Sequence, residues 1–391
     1  MEQPNLNNGR IVKTMTNRSK TSTNCAYLLG GTVPHFTSDY ADMNPQSEFQ
    51  EFMRRNESTA YDFSSLTDSC SSILLRRLKQ KYQFALVASR WRNASNVSIV
   101  SGEDIGMLCA LVDLVTGSKK PIVIITHGSY FGSKYWKYFA RILAAQRHVH
   151  WACLSQSLAA AMVDDYGFSQ SNVHDTGYGV DTNFFKPVAN TTSKPMILAA
   201  GTANRDYKTL VSAVEDIDID LRIAADSAWY PVATNINGVS LPDNVTVKSA
   251  GNYTGLRQLY GLSQFVVVPM HDAKFACGYA VIVEAMAIGK AVIATRTSSV
   301  SDFIIDGENG FLVDVGDVAA LHERIKFLVE HPEVASTMGA RARFDIEQSW
   351  SLSSYTSRLE TAVIAASSQF ECGVKSDTAP PSVRCGREIN T

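Results

Sequence analysis

Short apolar or β-branched runs alternate along the chain with longer segments in which apolar residues recur every three or four positions. The strand-like runs of a first series are "CAYLL" (25–29), "FALVA" (84–88), "VSIV" (97–100), "PIVIIT" (121–126) and "VHWACL" (149–154). Between them 66–82, 103–117 and 134–146 carry helical spacing. A second series holds "PMILAAG" (195–201), "DLRIAA" (220–225), "NVTVKSA" (244–250), "QFVVVPM" (264–270) and "AVIATR" (291–296). Its helical stretches are 206–214, 255–260, the segment around Glu284, and then 318–331, 332–348 and 351–366. Continuous apolar strands separated by helices predict parallel sheets covered on both faces. The Gly-, Pro-, Thr- and Asn-rich stretch 175–195 separates the two series and reads as a linker. The expected fold class is α/β, with two doubly wound Rossmann-like domains facing a cleft. Ligands of such sheets sit beyond the carboxyl ends of the strands, so the loops after each strand are the places to search.

Composition agrees with this division. The 391 residues exceed one ordinary core, which makes about two domains the prior. Hydrophobic residues at 45% with 19% charged describe a globular protein, and a formal net charge of −2 offers no basic footprint for nucleic acid. No window reaches the ~18 uninterrupted apolar residues of a membrane span. Residues 1–24 are polar, lack the apolar core of a secretion signal and read as a flexible tail. The seven cysteines (25, 70, 109, 153, 277, 372 and 385) form no close Cys/His cluster. That spacing predicts reduced thiols in a cytoplasmic protein rather than a zinc site. Residues 367–391 read as a polar, disordered tail.

The chemistry-bearing stretches lie at strand ends. Glu284 is the single carboxylate in the otherwise apolar run 279–288, which "FVVVPM" and the loop "HDAKFACG" precede. Gly278 stands at the start of that helix, where the first-turn amides of Tyr279, Ala280 and Val281 form an anion site suited to a diphosphate. Glu284 then accepts hydrogen bonds from a vicinal diol such as a ribose, pairs with a Lys or Arg, or faces solvent; spacing alone does not choose. Arg205, in "AAGTANRDYKTL" (199–210), is either a fork for phosphate oxygens or a surface partner of Asp206 or Asp226. In the first series Gly30 and Gly31 follow a strand, where they permit close backbone approach to a ligand or simply make a turn. His127 follows the "PIVIIT" strand, placed to hydrogen-bond a sugar hydroxyl, to shuttle a proton, or to serve structure. Glu103 and Asp104 complement a helix N-terminus, which capping explains without function. There is no GxGxxG after a strand, no GxxxxGK[ST] and no GxSxG, which removes the main support for dinucleotide-binding, P-loop and α/β-hydrolase readings.

Taken in order, these stretches resemble glycosyltransferase family 4, whose members adopt the GT-B fold. "YGVDTNFFKP" (178–187) looks like the interdomain segment and "GTANRDYKTLVSAV" (201–214) like the opening of the donor domain. The 60 residues 266–325 look like the nucleotide-sugar core, and "HWACLSQSLAAAM" (150–162) like the end of the acceptor domain. "SWSLSSY" (349–355) resembles the crossover that returns the last helix to the N-terminal domain. The resemblance implies an acceptor domain over 25–187, a donor domain over 188–349 and a crossover helix over 350–366. It implies that Glu284 binds ribose hydroxyls of a nucleoside-diphosphate sugar, and that Arg205 and the amides after Gly278 hold the diphosphate. Gly30–Gly31 would approach the same phosphates, and His127 would lie near the sugar. The family usually carries a second Glu eight residues before Glu284, where this chain has Ala276; Lys274 is then the candidate for a second cation.

The activity implied is a metal-independent, anomer-retaining transfer of a hexose to a hydroxyl acceptor, without a cofactor. A non-catalytic nucleotide-sugar-binding protein and a sugar-nucleotide epimerase on the same fold stay open beside it. The aromatic–basic stretch "YFGSKYWKYFAR" (130–141) is a candidate for peripheral contact at the inner face of a membrane.

Overall fold

The computed structural model describes residues 12–13, 24–30, 43–56, 58–66, 80–131, 133, 136–188, 195–225, 241–272, 277–298 and 300–377, the pieces 12–13 and 371–377 by their backbone. The first sheet is built from β1 (Val12–Lys13), β2 (Cys25–Leu28), β3 (Ser58–Tyr61), β4 (Val97–Val100), β5 (Ile122–Thr126), β6 (Val149–Cys153) and β7 (Val173–Asp175). Its order is β1-β3-β2-β4-β5-β6-β7, parallel throughout except for β1, which runs antiparallel along the β3 edge. Helices α1 (Glu48–Arg55), α2 (Gln80–Asn93), α3 (Glu103–Thr116), α4 (Trp136–Ala144) and α5 (Gln156–Asp164) connect these strands. All five side chains of β5 are buried, as a strand covered on both faces requires.

The second sheet comprises β8 (Met196–Ala200), β9 (Asp220–Ala224), β10 (Val245–Val247), β11 (Val266–Val268), β12 (Val292–Thr295) and β13 (Gly310–Val313). It is entirely parallel, in the order β10-β9-β8-β11-β12-β13. Relabelled within the domain, that order is 3-2-1-4-5-6, the doubly wound pattern. Its helices are α6 (Tyr207–Ala213), α7 (Tyr253–Leu262), α8 (Tyr279–Ala287), α9 (Val318–Glu330) and α10 (Pro332–Asp345), and α11 (Leu352–Asp377) follows. Helix starts are fixed by side chains placed for it: Asp206, Asn252 and Asp317 each accept from a first-turn amide.

Three expectations are corrected. "FALVA" (84–88) is not a strand but lies inside α2. Phe84, Ala85, Val87 and Ala88 are buried while Leu86 is exposed, so the apolar run belongs to one helical stripe. The strand position expected of it is taken by β3, "STAY", whose single large side chain gave no signal. The expected helix 66–82 is correspondingly displaced: Leu66 ends a 3-10 turn, Gln80 begins α2, and the residues between lie outside the described ones. The last helix runs to Asp377 rather than stopping at 366, and no proline follows Pro332 until Pro380.

Two crossings join the domains. Val180 bridges Ser351 in parallel, with Val180 donating to the Trp350 carbonyl at 3.0 Å and Leu352 to the Val180 carbonyl at 3.0 Å. A π-helical turn (Ile346–Trp350) bends the chain between α10 and α11, and α11 then packs on α1 and on the strands β4, β5 and β6. Arg343 fastens the outgoing segment by donating to the carbonyls of Phe185, Thr182 and Ala287. Gly177 adopts a φ of +62°, and a Cβ there would stand 2.3 Å from the Trp350 ring, so glycine is required where the two crossings touch. One apolar cluster consequently runs through both domains, with Val180, Phe185 and Tyr355 among its members. Among the described residues no helix is long and apolar enough to cross a membrane.

Candidate active site

In the second domain the connections part between β8 and β11, and a crevice opens beyond their carboxyl ends. The loop after β8 carries Arg205, which is 3% exposed. Its Nε donates to the Ala200 carbonyl at 2.9 Å and its Nη1 to the Ala203 carbonyl at 2.8 Å. Of the readings open for Arg205, the surface ion pair with Asp206 is therefore set aside: the guanidinium is folded into the loop. Asp206 instead caps α6, and Asn204, at φ +57°, donates its amide to the His271 carbonyl at 2.8 Å, tying this loop to the one after β11. Thr295 on β12 accepts from the Met270 amide at 2.8 Å, which holds the second loop as well.

Gly278 begins α8 at a φ of +84°. A Cβ there would lie 2.5 Å from the Met270 sulfur, so both backbone and space demand glycine. The first helical bond of α8 runs from the Ile282 amide to the Gly278 carbonyl at 3.1 Å; the amides of Tyr279, Ala280 and Val281 lie in the first turn ahead of it. Arg205 Nη1 approaches the Cys277 sulfur at 4.0 Å, which sets the guanidinium beside this helix start. Glu284 is buried further along α8, and its partner is neither Lys nor Arg: the Tyr260 hydroxyl on α7 donates to Oε2 at 2.9 Å. Burial pushes the Glu284 carboxyl up to about 8, against the smaller opposing pull of that hydroxyl. The nearby cation Lys290 is engaged elsewhere, donating to the carbonyls of Gly261 and Ser263.

The first domain offers its own crevice at the parting of β2 and β4. Gly30 stands there, its amide donating to the Ser101 hydroxyl at 3.0 Å. A Cβ at Gly30 would meet only ordinary contacts, 3.6 Å to Ile105 and 3.8 Å to Ser101, so the fold itself does not demand glycine. His127 follows β5, and its side chain is 45% exposed. The loop under it is organised by Glu103, a buried residue of α3. Its carboxylate accepts from the Thr126 hydroxyl at 2.8 Å, from the His127 amide and from the Ser129 amide at 2.6 Å. Helix-dipole complementarity alone accounts for less than this: Glu103 holds the loop that presents His127.

Glu48 stands in the first turn of α1. Burial pushes its carboxyl up while its own backbone amide and His127 pull it down, and its charge acts on Tyr178 of the interdomain segment. Tyr178 in turn packs edge-on against Tyr279, ring centres 6.1 Å apart, and feels Glu284. The described residues thus bring Arg205, Gly278 and Tyr279 together, with Glu284 behind them, and place Gly30 and His127 on the facing domain. Gly31, Lys274 and Ala276 lie outside the described residues. Sequence reasoning missed Tyr260, for which the sequence holds no signal, and Glu48, whose only trace is the capping box formed by Ser47 and Gln50.

Comparison with known proteins points the same way. Residues 181–344 match the family described as glycosyl transferases group 1. An uncharacterized glycosyltransferase of Methanocaldococcus jannaschii is 26% identical over 156 residues, covering 40% of this chain and 44% of the relative. A D-inositol 3-phosphate glycosyltransferase of Arthrobacter sp. (strain FB24) is 27% identical over 205 residues, 47% of this chain and 48% of the relative. The chain thus spans less than half the length of these curated relatives. Among solved structures, a glycosyltransferase from Rickettsia africae ESF-5 superposes with a TM-score of 0.63 at 16% identity, covering 88% of this chain and 99% of that one. HepE of Anabaena, solved with UDP and glucose, gives 0.62 at 14% identity over 90% of this chain and 100% of that one. These likenesses establish the fold, which is GT-B: two Rossmann-like domains with the last helix crossing back.

Proposed function

We propose, from the match of residues 181–344 to the family described as glycosyl transferases group 1, that the protein is a metal-independent, retaining glycosyltransferase. It moves a hexose from a nucleoside-diphosphate sugar to a hydroxyl of a glycan, lipid or small-molecule acceptor, and acts in the cytoplasm. The observation that carries this reading is the start of α8, where a glycine-only turn, the buried Arg205 and the buried Glu284 converge on one crevice. HepE of Anabaena, similar in fold, is solved with UDP and glucose and with UDP-glucose, which supports this donor class.

In this reading the diphosphate docks on the amides of Tyr279, Ala280 and Val281, with Arg205 beside it and Lys274 as a second cation. Glu284 receives the ribose diol, and Gly30–Gly31 bring backbone up to the phosphates from the other domain. His127 faces the transferred sugar. The acceptor oxygen bonds to the anomeric carbon as the bond from that carbon to the diphosphate breaks. The diphosphate departs with the electron pair, and the acceptor proton passes to the departing phosphate oxygen. Charge grows on that oxygen in the transition state, where fixed amides and a guanidinium stabilise it. Transfer that stops on chelation and returns with added magnesium would sink the metal-independent part.

A thermal-shift screen of nucleotide sugars identifies the donor, since a ligand that binds only the folded state raises its stability. Isothermal titration then tests the ribose assignment. Glu284→Ala should weaken that donor at least tenfold, and unchanged affinity refutes the assignment. Ala276, in place of the family's second carboxylate, favours one rival, a protein that binds nucleotide sugars without transferring them. Tight donor binding with neither hydrolysis nor transfer would support the rival.

A further inference from the structure

The first domain contains a cavity of about 440 Å³ between α2, α3 and α4 that the donor chemistry leaves unused. Its walls are Lys81 and Tyr82 from α2, Met107, Leu108 and Leu111 from α3, and Trp136 and Phe139 from α4. Three helices that present apolar side chains to one another ordinarily close up; here they enclose a volume in the range of small-molecule sites, roughly 300–1,000 Å³.

The cavity is polar at one end, where Asp104, Tyr130 and Ser133 line it. That end adjoins the loop of His127. Asp104 follows Glu103, whose carboxylate holds the amides of His127 and Ser129, and Tyr130 lies three residues beyond His127. The far side is apolar and opens toward more apolar surface. Leu86 lies one turn from Tyr82 on α2, and Ile142 lies one turn from Phe139 on α4, and both are exposed.

Building on the glycosyltransferase reading, we infer that this cavity holds the apolar part of the acceptor. The acceptor class is then an amphiphilic alcohol, with its hydroxyl at the polar end beside His127 and an alkyl or prenyl chain between α2, α3 and α4. A sugar acceptor would need hydrogen-bonding groups converging from several walls, whereas six largely apolar side chains line this volume, Asp104, Tyr130 and Ser133 line it beside the His127 loop, and α2 adds the flexible Lys81. Tyr82, Leu86 and Ile142 continue the same surface outward, which suits a chain longer than the cavity.

Trp136, 3% exposed in the cavity wall, is a built-in reporter. The probe is 11-bromoundecan-1-ol, whose bromine quenches an indole on contact. Saturable quenching is expected for the full chain, most of it lost in Trp136→Phe. Leu111→Glu, at a half-exposed position, should raise the apparent dissociation constant of the probe at least tenfold. The same variant should keep its circular dichroism and its affinity for the donor found by thermal shift. Absence of saturable quenching overturns the inference, as does equal quenching in Trp136→Phe or unchanged affinity in Leu111→Glu. Quenching seen only when the probe is embedded in phosphatidylcholine vesicles also overturns it, because the face would then be a membrane contact and not a chain-binding cavity. Loss of all nucleotide binding while the probe still saturates would remove the glycosyltransferase reading and leave the cavity standing. Intact nucleotide binding without quenching would do the reverse.

Discussion

The two carboxyl-edge crevices face one another but are built on different principles. On the second domain two charged groups at the crevice, Arg205 and Glu284, are buried and held: Arg205 by the carbonyls of Ala200 and Ala203, Glu284 by the Tyr260 hydroxyl. On the first domain the charge is buried beneath the loop, in Glu103, and the group presented outward, His127, is half exposed. Preformed polar groups cost reorganisation before a ligand arrives rather than during reaction, which suits a site for one invariant chemical group. An outward histidine on a braced loop beside an apolar cavity suits a site whose ligand class varies. On the glycosyltransferase reading proposed above, the second domain would specify the chemistry and the first the acceptor.

The largest effect expected to test this contrast is that of Arg205→Ala. If the guanidinium stabilises the departing diphosphate, turnover should fall about 10²–10³-fold, the loss typical of removing one such donor. A variant that keeps turnover but melts early would reduce Arg205 to a brace for its loop. Gly278→Ala comes next. A Cβ at φ +84° costs ~1–2 kcal/mol before the approach to the Met270 sulfur is counted, so both melting temperature and donor affinity should drop together. An unchanged donor affinity would place the diphosphate elsewhere.

Glu284 sharpens the comparison through pH. Its folded carboxyl titrates at about 8 and an exposed glutamate at about 4.3. The ligand-free protein therefore loses stability as pH rises between those values, because the unfolded chain ionises first. A diol donates its hydrogen bonds best to the ionised form. Affinity for a nucleotide sugar should accordingly rise with pH toward about 8, by at most about tenfold per unit, and level off above. Glu284→Gln should flatten that rise and remove the stability loss; titration calorimetry and melting curves at several pH values decide both. The smallest effect belongs to Glu103→Gln. Weakening the hydrogen bonds under the His127 loop, worth roughly 0.5–1.5 kcal/mol each, should raise the acceptor KM severalfold and leave donor affinity alone. An effect on donor affinity would break the division between the two crevices.

The same contrast governs how much was legible in the sequence. The second domain was readable because strand ends, a helix-starting glycine and an isolated carboxylate are local signals, and the structure brings Arg205, Gly278 and Glu284 to one place. What it could not supply was the partner of Glu284, since Tyr260 lies 24 residues earlier on another helix and a buried tyrosine looks like any core aromatic. In the first domain "FALVA" misled because five apolar residues satisfy a buried strand and a helical stripe equally well, and only the 14-residue length of α2 separates them. β3 and β7 are short and partly polar, so their membership of the sheet depends on neighbours distant in sequence. Glu103 owes its role to hydrogen bonds with Thr126, His127 and Ser129, 23 to 26 residues away, which no spacing along the chain encodes.

The paired crossings at Val180 and Ser351 carry a mechanical consequence. A single connecting strand would act as a swivel, free to turn about its own length. Two strands bonded to each other, with Trp350 filling the space opposite Gly177, act as a leaf hinge instead. Such a hinge bends easily across its width and resists torsion along it. Turning the two domains about the chain direction would therefore strain both backbone bonds at Val180 together, whereas bending across the bridge would spare them.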